Sequence, residues 1–155
     1  MIIIALSDSH GSTYSIDAVL EQEQKIDTLI FCGDVASDAD YIRIRYPNIT
    51  LYAVRGNNDF FCDDPFCILP IIDGVRLYIT HGHKERVKFG CYELLMAAKA
   101  KGAKLVLFGH THSVFDEEID GVRLINPGSI HSSRGSYARI EIINGKIASE
   151  IKTIG

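Results

Sequence analysis

The chain has 155 residues, 46% of them apolar, which suits one domain with room for a two-layer core. Its net charge of −4, with no basic run, argues against extended nucleic-acid binding, although a nuclease can lean on metal ions for its phosphate contacts. No apolar run approaches ~18 residues, and the start, Met1-Ile2-Ile3-Ile4, lacks a basic leader and meets Asp8 too soon for a signal peptide. Cys32, Cys62, Cys67 and Cys91 show no disulfide-framework spacing, so idle thiols in a cytoplasmic, soluble protein with no membrane contact are expected.

Ile2-Ile3-Ile4-Ala5-Leu6 is short, apolar and β-branched, predicting a buried strand that delivers Asp8-Ser9-His10 at its C-terminal end. Ser12 and Thr13 are capping candidates for a helix carrying Ile16, Val19 and Leu20. Leu29-Ile30-Phe31-Cys32 then leads into Gly33-Asp34, and Leu51-Tyr52-Ala53-Val54 into Gly56-Asn57-Asn58-Asp59. Val75-Arg76-Leu77-Tyr78-Ile79 runs into Thr80-His81-Gly82-His83. A second helical pattern, with Leu94, Leu95 and Ala98, covers Cys91 to Lys101 and is closed by Gly102. Leu105-Val106-Leu107-Phe108 precedes Gly109-His110-Thr111-His112. The remainder alternates as strands over 114–118, 122–125, 137–143 and 146–151, joined by the hairpin signals Asp120-Gly121 and Asn144-Gly145. No repeat, linker or low-complexity tract divides the chain, so residues 1–155 read as a single domain. Strand, polar loop and helix in alternation predict an α/β fold whose strand ends face one rim, where open α/β sheets bind ligands.

Five of the six histidines lie in these strand-end motifs, and a site with two metal ions is the economical explanation. In Asp8-Ser9-His10, period-two alternation would put a carboxylate and an imidazole on one side of an extended chain, within reach of one ion. His110 and His112 repeat the spacing after Gly109, expected to let the backbone turn tightly. Carboxylates and imidazoles without a thiolate pair suit Mn, Fe, Zn or Co rather than a closed structural zinc site, and Asn57 would add a neutral amide oxygen. Singly the motifs are weak, because an Asp-x-His is commonly a surface pair and a Gly-Asp a turn. Their ordered placement after apolar strands is what makes them informative.

The series Asp-x-His, Gly-Asp, Gly-Asn-x-Asp, His-Gly-His and Gly-His-Thr-His, followed by Asn126-Pro127-Gly128-Ser129, resembles the calcineurin-like metallophosphoesterase superfamily, in particular its small single-domain bacterial and archaeal phosphodiesterases. The resemblance implies two stacked mixed β-sheets flanked by helices, a four-layer αββα arrangement. It implies that Asp8, His10, Asp34 and His112 bind one metal and that Asp34, Asn57, His81 and His110 bind the other, with Asp34 bridging. Two divalent ions are implied, manganese first, with iron, nickel, zinc or cobalt as alternatives. Against Asp8, Asp34 and a bridging hydroxide they leave a surplus of about +1 that attracts a small phosphate ester. The implied reaction is in-line attack on phosphorus by a metal-bound hydroxide.

One position departs from the pattern. Many phosphatases of the superfamily have, where Asn58 stands, a histidine that protonates the leaving alcohol, oriented by the following acid. Asn58 cannot act as that acid although Asp59 is retained, so efficient turnover of esters with poor leaving groups is not expected unless His83 or a metal-bound water substitutes. Alternatively, His83 hydrogen-bonds a phosphate or a carbonyl at the rim. The competing functions are a non-catalytic scaffold like the retromer subunit that shares this fold, and a nuclease. Phe60-Phe61 and Pro65-Phe66 are expected to pack the Asn57 loop against the core; the sharper alternative is an apolar rim for a leaving group or a homodimer contact. Asn126 to Ser129 is either a strand-ending turn or a source of N–H groups for phosphate.

Overall fold

The computed structural model describes residues 1–131 and 134–155. Two mixed sheets are stacked face to face. The first has strand order β11-β10-β1-β2-β3, built from β1 (Ile2–Leu6), β2 (Thr28–Phe31), β3 (Thr50–Ala53), β10 (Ser136–Ile143) and β11 (Lys146–Thr153). The second has the order β4-β6-β7-β9-β8, with β5 (Ile71–Ile72) also paired to β6 (Val75–Thr80). Its other strands are β4 (Cys67–Ile68), β7 (Leu105–Leu107), β8 (Phe115–Ile119) and β9 (Val122–Asn126). β1, β2 and β3 run parallel, as do β6, β7 and β9, so six C-terminal strand ends meet at one rim.

Period-two alternation sorts the apolar residues into layers. In β1, Ile3 and Ala5 join Ile30, Leu77, Ile79, Leu105, Leu107, Ala138 and Ile140 between the sheets. Ile4 and Leu6 face the other way, against Ile16 and Val19 of α1 (Thr13–Gln22) and Ala39 and Ile42 of α2 (Ala36–Arg45). On the far side, Leu94, Leu95 and Ala98 of α3 (Tyr92–Ala100) pack on Tyr78, Val106 and Leu124. The result is the expected four layers, α1 and α2, sheet, sheet, α3. No helix among the described residues is long and apolar enough to cross a membrane.

Four elements were not expected from the sequence, one of them a single 3₁₀ turn over Val87–Phe89. α2 reads ASDADYIRIR and buries only Asp38, Ala39 and Ile42, leaving Ile44 exposed, so it carries almost no 3.6-residue apolar period. β4 and β5 have two residues each, too short for any period, and lie beside Pro65 and Pro70. The hairpin signals form as expected: Asp120-Gly121 and Asn144-Gly145 have positive φ at both residues and close β8 on β9 and β10 on β11. Asp73-Gly74 makes a third such turn between β5 and β6. All four cysteines are free, and burial raises the Cys32, Cys62 and Cys91 thiols above their ordinary pKa.

Candidate metal centre

The motifs at the ends of β1, β2, β3, β6 and β7 converge through backbone hydrogen bonds between loops: Asp8 N–H to Gly33 O at 2.9 Å, Gly109 N–H to His81 O at 2.9 Å and His10 N–H to Asp34 O at 3.2 Å. The local geometry is not extended. Asp8, His10, Asp34, His110 and His112 all have φ between 46° and 72°, the left-handed region that non-glycine residues avoid. Asp8 and His10 therefore meet through a kinked loop rather than through strand alternation, and strain of this kind persists only where the surroundings over-determine it. The glycines act by close approach. A Cβ on Gly56 would sit 1.9 Å from Asp34 Oδ1, and one on Gly109 would sit 1.9 Å from Ser7 Oγ and 2.7 Å from Asp8 Oδ2. Gly109, expected as a tight turn, thus serves to let its loop close over Asp8.

Asp8 is fully buried, and its two oxygens have different surroundings. Oδ2 accepts from Ser7 Oγ at 2.6 Å and His110 N–H at 3.1 Å. Oδ1 has no hydrogen-bond partner, although the Nε2 atoms of His112, His10 and His81 stand 3.1, 3.9 and 3.9 Å away. His10 Nε2 and His112 Nε2 face each other at 3.4 Å.

His81, also fully buried, sets the other half of the site. Its Nδ1 lies 2.6 Å from Cys32 O, and because a carbonyl only accepts, the proton of the neutral ring belongs on Nδ1. Nε2 then presents a lone pair to Asn57 Oδ1 at 3.1 Å, Asp34 Oδ2 at 3.5 Å and Asp8 Oδ1 at 3.9 Å. Four acceptors converge with a single N–H among them, that of the Asn58 amide on Asp34 Oδ2, and no lysine or arginine of the described residues pairs with Asp8 or Asp34. Buried charge left this way is costly unless a cation neutralises it, so the donor set fits a metal ion. Two groups have the required closeness: Asp8, His10 and His112, and Asp8, Asp34 and His81. Asp8 lies in both groups, and Asp34 in the second. The His110 ring lies 5.0 Å from that of His81, and burial, then the neighbouring His81, pushes its pKa down to about 4.

Several bracing residues were not expected. Asp38, on the first turn of α2, accepts from Ser9 Oγ at 2.5 Å and Gly11 N–H at 2.8 Å, pinning the Asp8 loop. Asn126 donates to Gly109 O at 3.0 Å and Thr111 Oγ1 at 2.9 Å, pinning the His110 loop, and Ser129 Oγ donates to Asp8 O at 2.9 Å. The N–H groups of Gly128, Ile130 and His131 are taken by Asn126 Oδ1, Ser7 O and Ser129 Oγ, so this segment braces loops and keeps none of those three N–H groups for a phosphate. The sixth histidine, His131, stands edge-on to His10 at 5.9 Å. No sequence signal marked it.

Asn58 and Asp59 differ from expectation. Asn58 closes on Asp34, with its backbone N–H 3.1 Å from Oδ1 and its amide Nδ2 2.9 Å from Oδ2, leaving each oxygen a second lone pair. Asp59 is buried and accepts from the N–H groups of Asp34, Ala36 and Gly56 at 3.0, 2.7 and 2.7 Å. Its carboxylate is committed to backbone, so it ties two loops together and orients no side chain at position 58. His83 lies 5.5 Å ring to ring from His81, with its Nδ1 buried and unpartnered; burial lowers its pKa. Phe60 and Phe61 are exposed, which corrects the expectation that they pack the loop on the core.

A four-layer α/β sandwich with carboxylates and imidazoles gathered where parallel strands end has the architecture of the metallophosphoesterase fold. The chain belongs to the calcineurin-like phosphoesterase superfamily, whose domain profile matches residues 1–145. It is 32% identical over 150 residues to the probable metallophosphoesterase YsnB of Bacillus subtilis, covering 93% of this chain and 86% of that protein. It is 32% identical over 145 residues to a phosphodiesterase of Methanocaldococcus jannaschii, covering 83% of each. A solved protein of Streptococcus pneumoniae superposes with a TM-score of 0.81 at 27% identity, over 98% of this chain and 88% of that one. Chaetomium thermophilum Vps29 shares the fold, with a TM-score of 0.75 at 17% identity over 99% and 96% of the chains.

Proposed function

We propose that the chain is a phosphodiesterase that works with two divalent transition-metal ions. The observation that carries this reading is the meeting of lone pairs at His81 Nε2, Asn57 Oδ1, Asp34 Oδ2 and Asp8 Oδ1 with no lysine or arginine among the described residues to reconcile them and, besides the Asn58 amide on Asp34 Oδ2, no proton. Asp8, His10, Asp34 and His112 would hold one ion and Asp34, Asn57, His81 and His110 the other, with Asp34 shared and the bare Oδ1 of Asp8 lying close to both sets of donors. When bound, such ions acidify a coordinated water to give a nucleophile near neutral pH and neutralise charge on the phosphoryl oxygens. The ligands themselves add little negative charge, because only Asp8 and Asp34 are anionic, and the site keeps its attraction for phosphate. Manganese is our first candidate, since carboxylate, amide and imidazole donors without thiolate suit it.

The chain's own side chains then orient and exclude. Asn58 holds the Asp34 carboxylate in place, and His83, with a pKa lowered by burial, presents a neutral ring beside His81. With no acid at position 58, a diester suits this site: it carries one negative charge fewer than an ionised monoester, and an acidic leaving group departs without a proton. A scaffold role is disfavoured because Asp8, His10, Asp34, His81 and His112 fall into two close groups that could each hold an ion. The test is metal analysis combined with hydrolysis of bis-p-nitrophenyl phosphate and of a matched alkyl diester. About two ions per chain, activity reversed by a chelator, and a strong preference for the aryl ester are expected. One tightly bound ion at saturation, or full activity after verified metal removal, would refute the reading.

A further inference from the structure

Beside the metal centre, on the side of His83, lies a cationic cluster that the reaction above does not use. Phe66 carries two cations on its ring: Lys84 Nζ is 3.5 Å and the Arg55 guanidinium carbon 4.6 Å from the ring centroid. The ring is 5.8 Å from that of His83, which is 5.5 Å from that of His81, so two ring-to-ring steps connect the cluster to the candidate ligands. Neither cation is ion-paired among the described residues, and the two share one aromatic ring. Arg55 spends one donor on Asp59 O at 3.0 Å, but its Nε is buried and has no partner. The buried Nδ1 of His83 is likewise unsatisfied.

In an acidic chain, two adjacent cations without counterions, one with a buried unsatisfied donor, form an anion receptor rather than a stabilising pair. Cation–π contact with Phe66 fixes both heads, which reduces the rotamer entropy lost on binding. With its ring occupied by the two cations, Phe66 is an organiser of charge and not a platform for a base. Resting on the proposed phosphoesterase site, we propose that Arg55 and Lys84, organised by Phe66, bind a second anionic group of the substrate. The substrate class is then a phosphate ester bearing another phosphate or carboxylate, held on the His83 side of the metal centre.

The test compares the p-nitrophenyl ester of thymidine 3′-phosphate with and without a 5′-phosphate, and both with a 5′-carboxylate analogue, to distinguish the two anion sources. The doubly anionic esters should have a KM lower by about tenfold, the worth of one charge-assisted hydrogen bond. Lys84→Gln should remove most of that preference, Arg55→Gln all of it, and Phe66→Leu part of it. Binding is read separately by calorimetry of thymidine 3′,5′-bisphosphate and thymidine 3′-phosphate on metal-free protein. Tighter binding of the bisphosphate, lost in Lys84→Gln, supports the receptor even if no ester is hydrolysed, which would count against the phosphoesterase reading alone. Equal binding of the two nucleotides in the wild type, or a preference unchanged in Lys84→Gln with its fold intact by circular dichroism, overturns the proposal.

Discussion

The two halves of the candidate metal centre are built differently. Around His81 the ring and the Asp34 carboxylate are buried and fixed: the ring is fully enclosed, its tautomer is set by Cys32 O, and Asp34 is held by Asn58, while Asn57 and Asn58 themselves reach the surface. Around His10 and His112 the site is open, with the two side chains 29% and 48% exposed and facing each other across 3.4 Å. A ligand set whose orientation is already determined loses less freedom on binding, so the buried half should hold its ion more tightly and exchange it more slowly. The open half is where solvent and substrate reach the site. Asp8 stands between the two with one oxygen fastened and the other bare.

The largest effect is expected at Asp8, because it is common to both groups. Asp8→Ala should lower the affinity for both ions by more than the 10–100-fold typical of an outer partner, read by titration calorimetry. In chelator the order of stability reverses: Asp8→Asn should melt above the wild type, by about 2–4 °C for each kcal/mol of relieved buried charge. A wild type that is more stable than Asp8→Asn when metal-free would show that Oδ1 is not a strained, uncompensated acceptor.

Next, the halves should separate under mutation. His81→Ala should abolish the slowly exchanging ion, while His112→Ala should weaken the fast one and leave the slow one in place, as followed by metal exchange. Identical losses in the two variants would make the asymmetry meaningless. A smaller effect is expected from the braces. Asp38→Asn loosens the loop of Asp8 and His10, and Asn126→Ala chiefly that of His110 and His112 while also freeing the Gly128 N–H, each costing about tenfold in metal affinity. If either changes affinity no more than an exposed substitution does, the braces serve stability alone.

The smallest effect lies far from the site. Burial would raise the Glu23 carboxyl, but hydrogen bonds from Lys152 and Tyr137, with the charges of Lys152 and Arg139, lower it below its ordinary value of 4.5. A depressed folded-state value contributes stability that is present above about pH 4.5 and is lost as the pH falls through the folded value. Glu23→Gln should therefore cost about 1–3 kcal/mol at pH 7 and much less at pH 3 in urea unfolding. An equal cost at both values would remove the ion-pair explanation.

Much of this was legible in the residues themselves. β1 and β7 are unbroken apolar runs, because a strand buried on both faces has no other way to be written, and the Asp-Gly and Asn-Gly turns demand positive φ at both residues. The order of polar motifs after those strands named the residues that gather at the rim. α2 was hidden because a helix that buries three residues needs no stripe, and Asp38 was hidden with it. The left-handed loops, the role of Gly109, the commitment of Asp59 to backbone and the clasp of Asn58 on Asp34 depend on which loop lies against which. Sequence fixes the order of donors along the chain, through hydrophobic period and turn chemistry acting within a few residues. Tertiary structure decides which lone pairs are spent and which stay bare, since a carboxylate's partners come from segments 25 or 102 residues away.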